Sequence, residues 1–298
     1  MPEGAKEART TVARRRYVIL TLVLLAIAGG TFLLQRILFP PKAKALEVLE
    51  VRGEVSVIGQ GGETALGKGG RVNPGDRVKT GPEGEAIMRG AGSTTITVAP
   101  RSSVTVDGVL DGVARINVEQ GFVRSRVKEG EGAGVEMRGG KEDAKVLTRG
   151  GDVSVGVDAG GNLAVATLDG KASLSHGGVT RDLTKGQTAY VAGGKVELGE
   201  VPTALLLKVA WPAAGRTKEP SSQIALTLPK GATAVLNGAD VAVGPDGTGT
   251  ATVTLKEGDN KLRLEARDVS GNVLAEDSGV IVLDTRPPEI KSGGTKWR

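Results

Sequence analysis

The sequence has no cysteine, one histidine and very few aromatic side chains, and each shortage excludes a class of protein. Without cysteine there is no disulfide framework, and His176 alone cannot supply the several His or Cys ligands that zinc sites use. Aromatic residues make up only 2% of the chain, so it lacks the stacking side chains that nucleic-acid surfaces interleave with positive charge. We therefore expect no cofactor, no transition metal and no nucleic-acid partner.

Glycine and small aliphatic residues are plentiful instead. Glycine accounts for 46 of 298 residues, and the net charge of +5 is far from the regime of highly charged disordered chains. Apolar and polar residues alternate in short runs from residue 46 onwards, with Gly, Pro or Asp-Gly breaks between the runs. This alternation predicts an all-β protein of many short strands and tight turns, with no helix after the first 40 residues.

One long apolar segment lies near the start of the chain, at residues 17–39. Its first part, residues 17–34, carries no charge. At about 1.5 Å per residue this part nearly crosses a hydrocarbon core of about 30 Å. Arg14, Arg15 and Arg16 directly precede it, and positive charge is retained on the cytoplasmic side. We therefore expect one transmembrane helix in a bacterial inner membrane, with residues 1–16 in the cytoplasm and the bulk in the periplasm.

A cleaved signal peptide is the alternative for the same segment. Ala26-Ile27-Ala28 has the small-x-small pattern of a cleavage site, and cleavage after Ala28 would release the β domains to the periplasm or the exterior. Apolar residues resume after it, which favours a retained anchor. Pro40-Pro41 ends the helix, and residues 40–45 are predicted to form a linker.

A series of turn motifs follows the linker. In chain order these are Gly53-Glu54-Val55-x-Val57, Gly75-Asp76-x-Val78-x-Thr80-Gly81-x-x-Gly84-x-Ala86, Gly92-Ser93 and Val98-x-Pro100-x-Ser102. The order resembles the FecR-type periplasmic domain over about residues 46–128. The resemblance implies a β-solenoid-like domain, which we extend to residue 200, although alternation alone also fits a sandwich. It gives structural roles to seven motif residues: Gly53, Gly75, Asp76, Thr80, Gly81, Gly84 and Pro100.

Relatives of that type are bacterial envelope proteins, some of them anti-sigma regulators with a folded sigma-binding segment before the membrane helix. Only sixteen polar residues stand there in this sequence. The resemblance therefore implies an envelope location, while the short tail speaks against direct control of a sigma factor.

A second β unit is predicted at residues 203–288, followed by a tail at 289–298. About seven strands with turn signals at Asn237-Gly238, Asp246-Gly247 and Gly271-Asn272 give the spacing of an immunoglobulin-like sandwich. The segment also resembles bacterial Ig-like domains. Asp268, Asn272 and Asp284 offer oxygen ligands for calcium, but calcium requires six or more oxygens and these are also ordinary turn residues.

Three motifs resemble those of enzymes, but the residues around each of them speak against a catalytic or nucleotide-binding role. Residues 62–69 are one residue short of a phosphate-binding loop and run into Asn73-Pro74, which cannot open a helix. Ser125 and Lys128 have Ser-x-x-Lys spacing, but in an alternating strand their side chains point to opposite faces. His176 precedes Gly177-Gly178 and is predicted to be an exposed hairpin residue.

The sequence therefore predicts a binding or scaffold protein of the envelope rather than an enzyme. Its partner would be another envelope protein or a cell-wall or surface polysaccharide. Two alternatives remain open: a FecR-type signal transducer that acts on a cytoplasmic regulator, and an accessory protein for carbohydrate processing.

Overall fold

The computed structural model describes residues 43–130 and 132–286, and those from Lys44 onwards belong to one compact unit. Every regular element among them is a β-strand, so the prediction of an all-β protein is confirmed for this part of the chain. No helix there is long and apolar enough to cross a membrane. The predicted helix at 17–39, both predicted tails and Arg14, Arg15 and Arg16 lie outside the described residues.

The described residues form twenty-five strands, numbered here in chain order. The first fifteen are β1 (Leu46–Arg52), β2 (Val55–Gly59), β3 (Gly62–Ala65), β4 (Arg71–Val72), β5 (Arg77–Thr80), β6 (Glu85–Arg89), β7 (Thr95–Val98), β8 (Ser103–Leu110), β9 (Val113–Val127), β10 (Gly134–Gly139), β11 (Ala144–Val157), β12 (Leu163–His176), β13 (Val179–Thr184), β14 (Gln187–Ala192) and β15 (Lys195–Glu200). The others are β16 (Lys208–Ala210), β17 (Gly215–Thr217), β18 (Ser221–Thr227), β19 (Thr233–Leu236), β20 (Ala239–Val241), β21 (Thr248–Thr254), β22 (Gly258–Asn260), β23 (Arg263–Arg267), β24 (Val273–Asp277) and β25 (Ile281–Leu283).

Strands β1–β15 form a single 15-stranded sheet. One row of neighbours runs β15-β14-β12-β11-β10-β9-β7-β6-β1-β4, and a second row, β3-β2-β5-β8, also joins β9. The long strands take part in both rows because their two halves pair with different neighbours. The first half of β9 pairs with β8 and β10, whereas its second half pairs with β7 and β11.

Glycines lie where the long strands pass from one set of neighbours to the other. Gly121 in β9, Gly151 in β11 and Gly170 in β12 have φ of 88°, 110° and 71°. A Cβ on Gly151 would lie 2.2 Å from the backbone oxygen of Asp169. Because only glycine combines positive φ with such close backbone contact, these positions allow each strand to bend and continue.

The bends fold the sheet into two layers around one core. Val104 and Ile116 come from one layer, Val98 and Val123 from the other, and all four are fully buried in the same cluster. The pairing differs from the β-solenoid-like stack expected for residues 46–200. All pairs in this sheet are antiparallel except β9–β10, and strands that bend from one layer into the next are typical of a folded sandwich.

Strands β16–β25 form three small sheets, ordered β16-β18-β21, β17-β25-β22 and β20-β19-β23-β24. Their inward side chains share a second core. Ile224 of the first sheet, Ile281 of the second and Leu264 of the third are almost wholly buried within it. In both regions strand alternation places small aliphatic residues inside and polar residues outside, which is the pattern that the sequence predicts.

Candidate functional site

The two β regions meet at an apolar contact, here called the junction. Phe122 follows the Gly121 bend in β9 and packs over Gly156 of β11, where a Cβ would lie 2.4 Å from the ring. Val269, in the turn between β23 and β24, is buried in the same cluster as Phe122, Ala164 and Tyr190. Gly156 has no side chain, and this leaves room for the ring of Phe122. The second β region therefore covers the outer face of the folded sheet at the junction.

Polar contacts surround the apolar junction. Arg101 donates from Nη1 to the backbone oxygen of Gly238 at 3.1 Å, and Lys230 pairs with Glu197. At Gly231, which has φ of 75°, a Cβ would come within 2.4 Å of the Cβ of Ala164. The two regions therefore pack too closely there for a larger residue.

A cleft of about 300 Å³, here called the arginine cleft, opens beside the junction. Its main polar lining residues are Glu85, Thr97, Arg124, Arg126, Ser154, Arg267, Asp268 and Ser270. Ile87, Thr97, Arg124 and Ser154 lie side by side across β6, β7, β9 and β11, because each is the register partner of the next. One wall of the cleft is thus a row across the folded sheet, and the other comes from β23 and its turn.

Two of the arginines share one carboxylate. Arg124 donates from Nε and Nη2 to the two oxygens of Asp152, both at 2.6 Å, and Arg126 donates from Nε to Asp152 Oδ2 at 2.9 Å. Burial alone would raise the pKa of Asp152, but the hydrogen bonds from both arginines outweigh it and lower that pKa. Because one negative charge faces two positive charges, the trio keeps one uncompensated positive charge.

Arg267 is the third arginine of the cleft, and its situation is different. It is half-buried, and its side chain forms no hydrogen bond and no ion pair within 4.0 Å with any residue of 43–130 or 132–286. Burial lowers the pKa of Arg267, and the charges of Glu85 and Asp268 offset only part of that effect. Arg267 is thus a desolvated cation without a close counter-charge among the described residues.

A narrower cleft of about 110 Å³ lies on the other side of Phe122 and Arg267, which line both clefts. Asp158 lines it and is buried, and its carboxylate accepts hydrogen bonds from Asn162 and, at 3.3 Å, from Tyr190 Oη. Burial, followed by the nearby charge of Asp158, raises the pKa of Tyr190. The carboxylate of Asp158 is therefore satisfied by protein groups.

Comparisons with known proteins give only loose likenesses. No protein-family model matches the chain, and no curated protein matches it. Among solved structures it is similar to a proposed anti-sigma factor from Parabacteroides distasonis, with 14% identity and a TM-score of 0.37 over 42% of this chain and 59% of that one. Fibronectin(III)-like modules of Clostridium thermocellum CbhA give 12% identity and a TM-score of 0.24 over 64% of this chain and all of theirs.

A polysaccharide lyase gives 9% identity and a TM-score of 0.21 over 78% of this chain and 40% of that one. The alignment to the proposed anti-sigma factor thus spans less than two thirds of that protein. Likenesses with scores this low establish neither the fold nor the function of this chain.

The motif residues predicted at the turns of the first region fall into two groups. Thr80 Oγ1 donates to the backbone oxygen of Ala99 at 2.6 Å and accepts from the backbone N–H of Ser102 at 2.8 Å, beside Pro100. Gly81 donates to the backbone oxygen of Glu54 at 2.8 Å.

Two further glycines complete this first group. A Cβ on Gly53 would lie 2.5 Å from the backbone oxygen of Glu83, and one on Gly84 would lie 2.1 Å from that of Glu54. The structure brings five predicted residues, Gly53, Thr80, Gly81, Gly84 and Pro100, into one set of interlocked turns. Arg101 follows directly in the chain, so these turns also position a side chain of the junction.

Gly75 and Asp76 form the second group, in a separate turn. The backbone N–H of Gly75 donates to the oxygen of Val106 at 2.7 Å, and Asp76 Oδ2 accepts from the backbone N–H of Asn73 at 2.8 Å. The Asp76 contact is that of a tight turn, the Gly75 contact joins this turn to β8, and neither residue lines either cleft.

The structure separates the calcium candidates. Asp268 and Asn272 share one turn, in which Asp268 accepts from the backbone N–H of Asn272 at 2.9 Å and from Ser270 Oγ at 2.7 Å. Asp284 instead pairs with Arg286 at 3.3 Å and Arg216 at 3.7 Å. Within the part of the chain that the structure describes, no three His, Cys, Asp or Glu side chains are grouped closely enough to hold a metal ion.

The enzyme-like motifs have ordinary surroundings. Residues 62–65 form strand β3, and Ser125 is fully buried with its hydroxyl donating to the backbone oxygen of Val153 at 3.3 Å. The prediction of an exposed His176 is wrong: its side chain is 11% exposed, and Nε2 lies 2.9 Å from Glu142 Oε2. Glu142 belongs to the turn between β10 and β11, which sequence proximity could not reveal.

The sequence reading missed the arginines of the cleft. Their signal is visible in Arg124-Ser125-Arg126, because the alternation of β9 places both arginines on the same face. Arg267 carries no such signal. Its place in the cleft depends on how the third small sheet packs against the folded sheet, which the local sequence does not encode.

Proposed function

We propose that this chain is a membrane-anchored binding and scaffold protein of the bacterial envelope, with a FecR-like region at 46–200 and an Ig-like region at 203–288. Its periplasmic β regions would bind an envelope protein or a cell-wall polysaccharide at the junction. The observation that carries the proposal is the arginine cleft, which is built jointly by both regions.

A cleft built by both regions suits ligand binding because the contacts between the regions hold its two walls at a fixed distance and orientation. Phe122 and Val269 pack the regions together at the junction, and the polar pair Lys230 and Glu197 joins them at a further point. A site whose walls are preorganised loses less conformational entropy on binding than one assembled by the ligand. The same joint would keep a scaffold at a defined distance from the membrane.

We propose no catalytic role. Nucleophilic catalysis needs a hydroxyl or thiol within reach of a base that a third group orients. Ser125 is buried in the folded core, and His176 lies against Glu142 at the far end of β12. The arginines and carboxylates of the cleft are groups for binding and orientation.

Site-specific photo-cross-linking tests the proposal. A photoreactive amino acid replaces Ile87, which lies in the row that forms one wall of the cleft, and in the control it replaces Lys185, whose side chain is 71% exposed and lines neither cleft. We expect a reproducible protein or wall fragment to be captured in whole cells from position 87 and not from position 185. Equal capture from both positions, or none from position 87, would contradict the proposal.

A deletion separates binding from signalling. Removal of residues 3–13 keeps Arg14, Arg15 and Arg16 as the topology signal. We expect capture from position 87 and the transcript profile to stay unchanged after this deletion. A changed profile, with the protein still inserted, would favour the FecR-type transducer instead.

A further inference from the structure

We propose that the arginine cleft binds an acidic saccharide, specifically a sugar unit that carries a carboxylate, with Arg267 as the group that pairs with the carboxylate. This inference rests on the proposed function and names the class of ligand. It follows from the state of Arg267, from the remaining donors of Arg124 and Arg126, and from the acidic rim of the cleft.

Arg267 carries a charge for which the described residues provide no close partner. A half-buried guanidinium without a close counter-charge loses hydration and gains no ion pair in return, which is unfavourable unless a ligand supplies the charge. The planar fork of five N–H donors matches a carboxylate in a bidentate arrangement. Arg267 lines both clefts at the junction, so a ligand can reach it.

Arg124 and Arg126 provide further hydrogen-bond donors in the cleft. Asp152 holds both side chains in place, yet it uses only two N–H groups of Arg124 and one of Arg126. The remaining donors lie in the same cleft as Arg267. Because their aliphatic and charged parts are already ordered by Asp152, they can bind oxygen atoms at a smaller cost in side-chain entropy.

The rim decides between classes of oxyanion. Glu85 and Asp268 also line the cleft, and they would repel the second charge of a phosphate group. As an acceptor, however, Glu85 suits a hydroxyl group of a sugar, as does the hydroxyl of Thr97, whereas the carboxylate of Asp268 is already occupied by Ser270 and Asn272. A ligand with one carboxylate and several hydroxyls uses both kinds of group, and a cleft of about 300 Å³ lies at the lower end of the usual range for small-molecule sites.

Titration calorimetry on the full chain in detergent micelles tests this assignment. The probes are a short oligogalacturonate, a neutral galactose oligomer of the same length, and inorganic phosphate. We expect binding of the oligogalacturonate only. Arg267→Gln should weaken that binding by about 10- to 100-fold, the loss expected for a charge-assisted bidentate contact.

Arg263→Gln is the matched control, because Arg263 lies on the same face of the same strand but is 57% exposed and paired with Glu265 and Asp277. It should leave oligogalacturonate binding unchanged. Arg267→Gln should also unfold at the same temperature as the parent chain or higher, since it removes an unpaired, half-buried charge. A lower melting temperature with unchanged binding would show that Arg267 has a structural role and would overturn the assignment.

The other outcomes are equally distinct. Equal binding of phosphate, or of the neutral oligomer, would overturn the carboxylate specificity. Absence of oligogalacturonate binding while position 87 still captures a partner would overturn this inference and leave the proposed function standing. Binding that depends on Arg267, without any capture in cells, would support the saccharide site and count against the envelope partner.

Discussion

The two β regions form their layers in different ways. In the first region the strands β9, β11 and β12 are 14 or 15 residues long and pass from one layer to the other through a glycine bend. In the second region no strand exceeds 7 residues, and its layers come from separate short strands joined by turns. The layers of the first region are thus linked within single strands, whereas those of the second are linked by turns and side-chain packing.

The cores reflect this difference. The first core is built mostly from valine and alanine, whose short, stiff side chains suit long pleated strands in close layers. Leucine is the commonest residue of the second core, where it fills the space between shorter and less regular strands. We therefore expect the first region to be most sensitive to changes at backbone bends and the second to changes in side-chain volume.

The largest effect is expected at a bend. Gly151→Ala would place a Cβ 2.2 Å from the backbone oxygen of Asp169 at a φ of 110°, so strain and overpacking add. We expect the free energy of unfolding to fall by about 4 kcal/mol. Chemical denaturation followed by circular dichroism measures this loss.

Gly177→Ala is the control for that experiment. Gly177 also has positive φ, at 56°, but no atom lies within 4 Å of its Cβ position, so only the backbone cost of about 1 to 2 kcal/mol applies. Equal losses in the two variants would mean that the bends tolerate side chains, and the contrast between the regions would fail.

The second effect concerns the contact between the regions. Phe122 is 6% exposed and packs against both Gly156 and the cluster that contains Val269. We expect Phe122→Ala to lower the free energy of unfolding by about 3 kcal/mol and to split one thermal transition into two, because the regions then unfold separately. Differential scanning calorimetry resolves the two transitions.

Val273→Ala serves as the comparison, since Val273 lies on β24 near the junction but is 56% exposed. It should leave a single transition at nearly the parent temperature. Two transitions already present in the parent chain would show that the junction does not couple the regions.

The sequence predicted the strands better than it predicted their arrangement. The alternating runs at residues 113–118 and 122–127 have the pattern of two separate short strands, whereas the structure has the single strand β9 with Gly121 between its halves. A glycine in an alternating run reads equally well as a turn or a bend, because local pattern does not reveal whether the flanking residues pair with new neighbours. The solenoid expectation failed for the same reason, since pairing direction is a non-local property.

The residues of the candidate site were harder to predict from the sequence than the strand arrangement. The motif residues Thr80, Gly81 and Pro100 were identified through the resemblance to the FecR-type domain, and their turns lead directly into Arg101 at the junction. Asp152 lies 26 residues from Arg126 in the chain, and Arg267 lies on a different sheet. Such groups become neighbours only through the fold, so a single sequence offers no signal that joins them.

The smallest effect is a pH dependence confined to the first region. The folded-state pKa of Asp152 lies below the ordinary value of 3.8, because hydrogen bonds from Arg124 and Arg126 outweigh the effect of burial. A lowered carboxyl pKa stabilises the fold fully above the unfolded pKa, and this stabilisation is lost as the pH falls through the folded pKa. We expect Asp152→Asn to cost about 1 to 2 kcal/mol at neutral pH.

That cost should begin to shrink as the pH falls below about 3.8, where the unfolded chain takes up its proton, and should approach zero only below the lower folded-state pKa, where the parent carboxyl is protonated as well. Urea denaturation of both chains across this range measures it. Glu47→Gln is the matched control: its pair with Arg89 is more than half exposed at 3.4 Å, so it should cost no more than about 0.5 kcal/mol at any pH. A cost for Asp152→Asn that stays constant into acid would mean that Asp152 acts through its shape and hydrogen bonds alone. In that case the charge of Asp152 would not be what balances Arg124 and Arg126 in the arginine cleft.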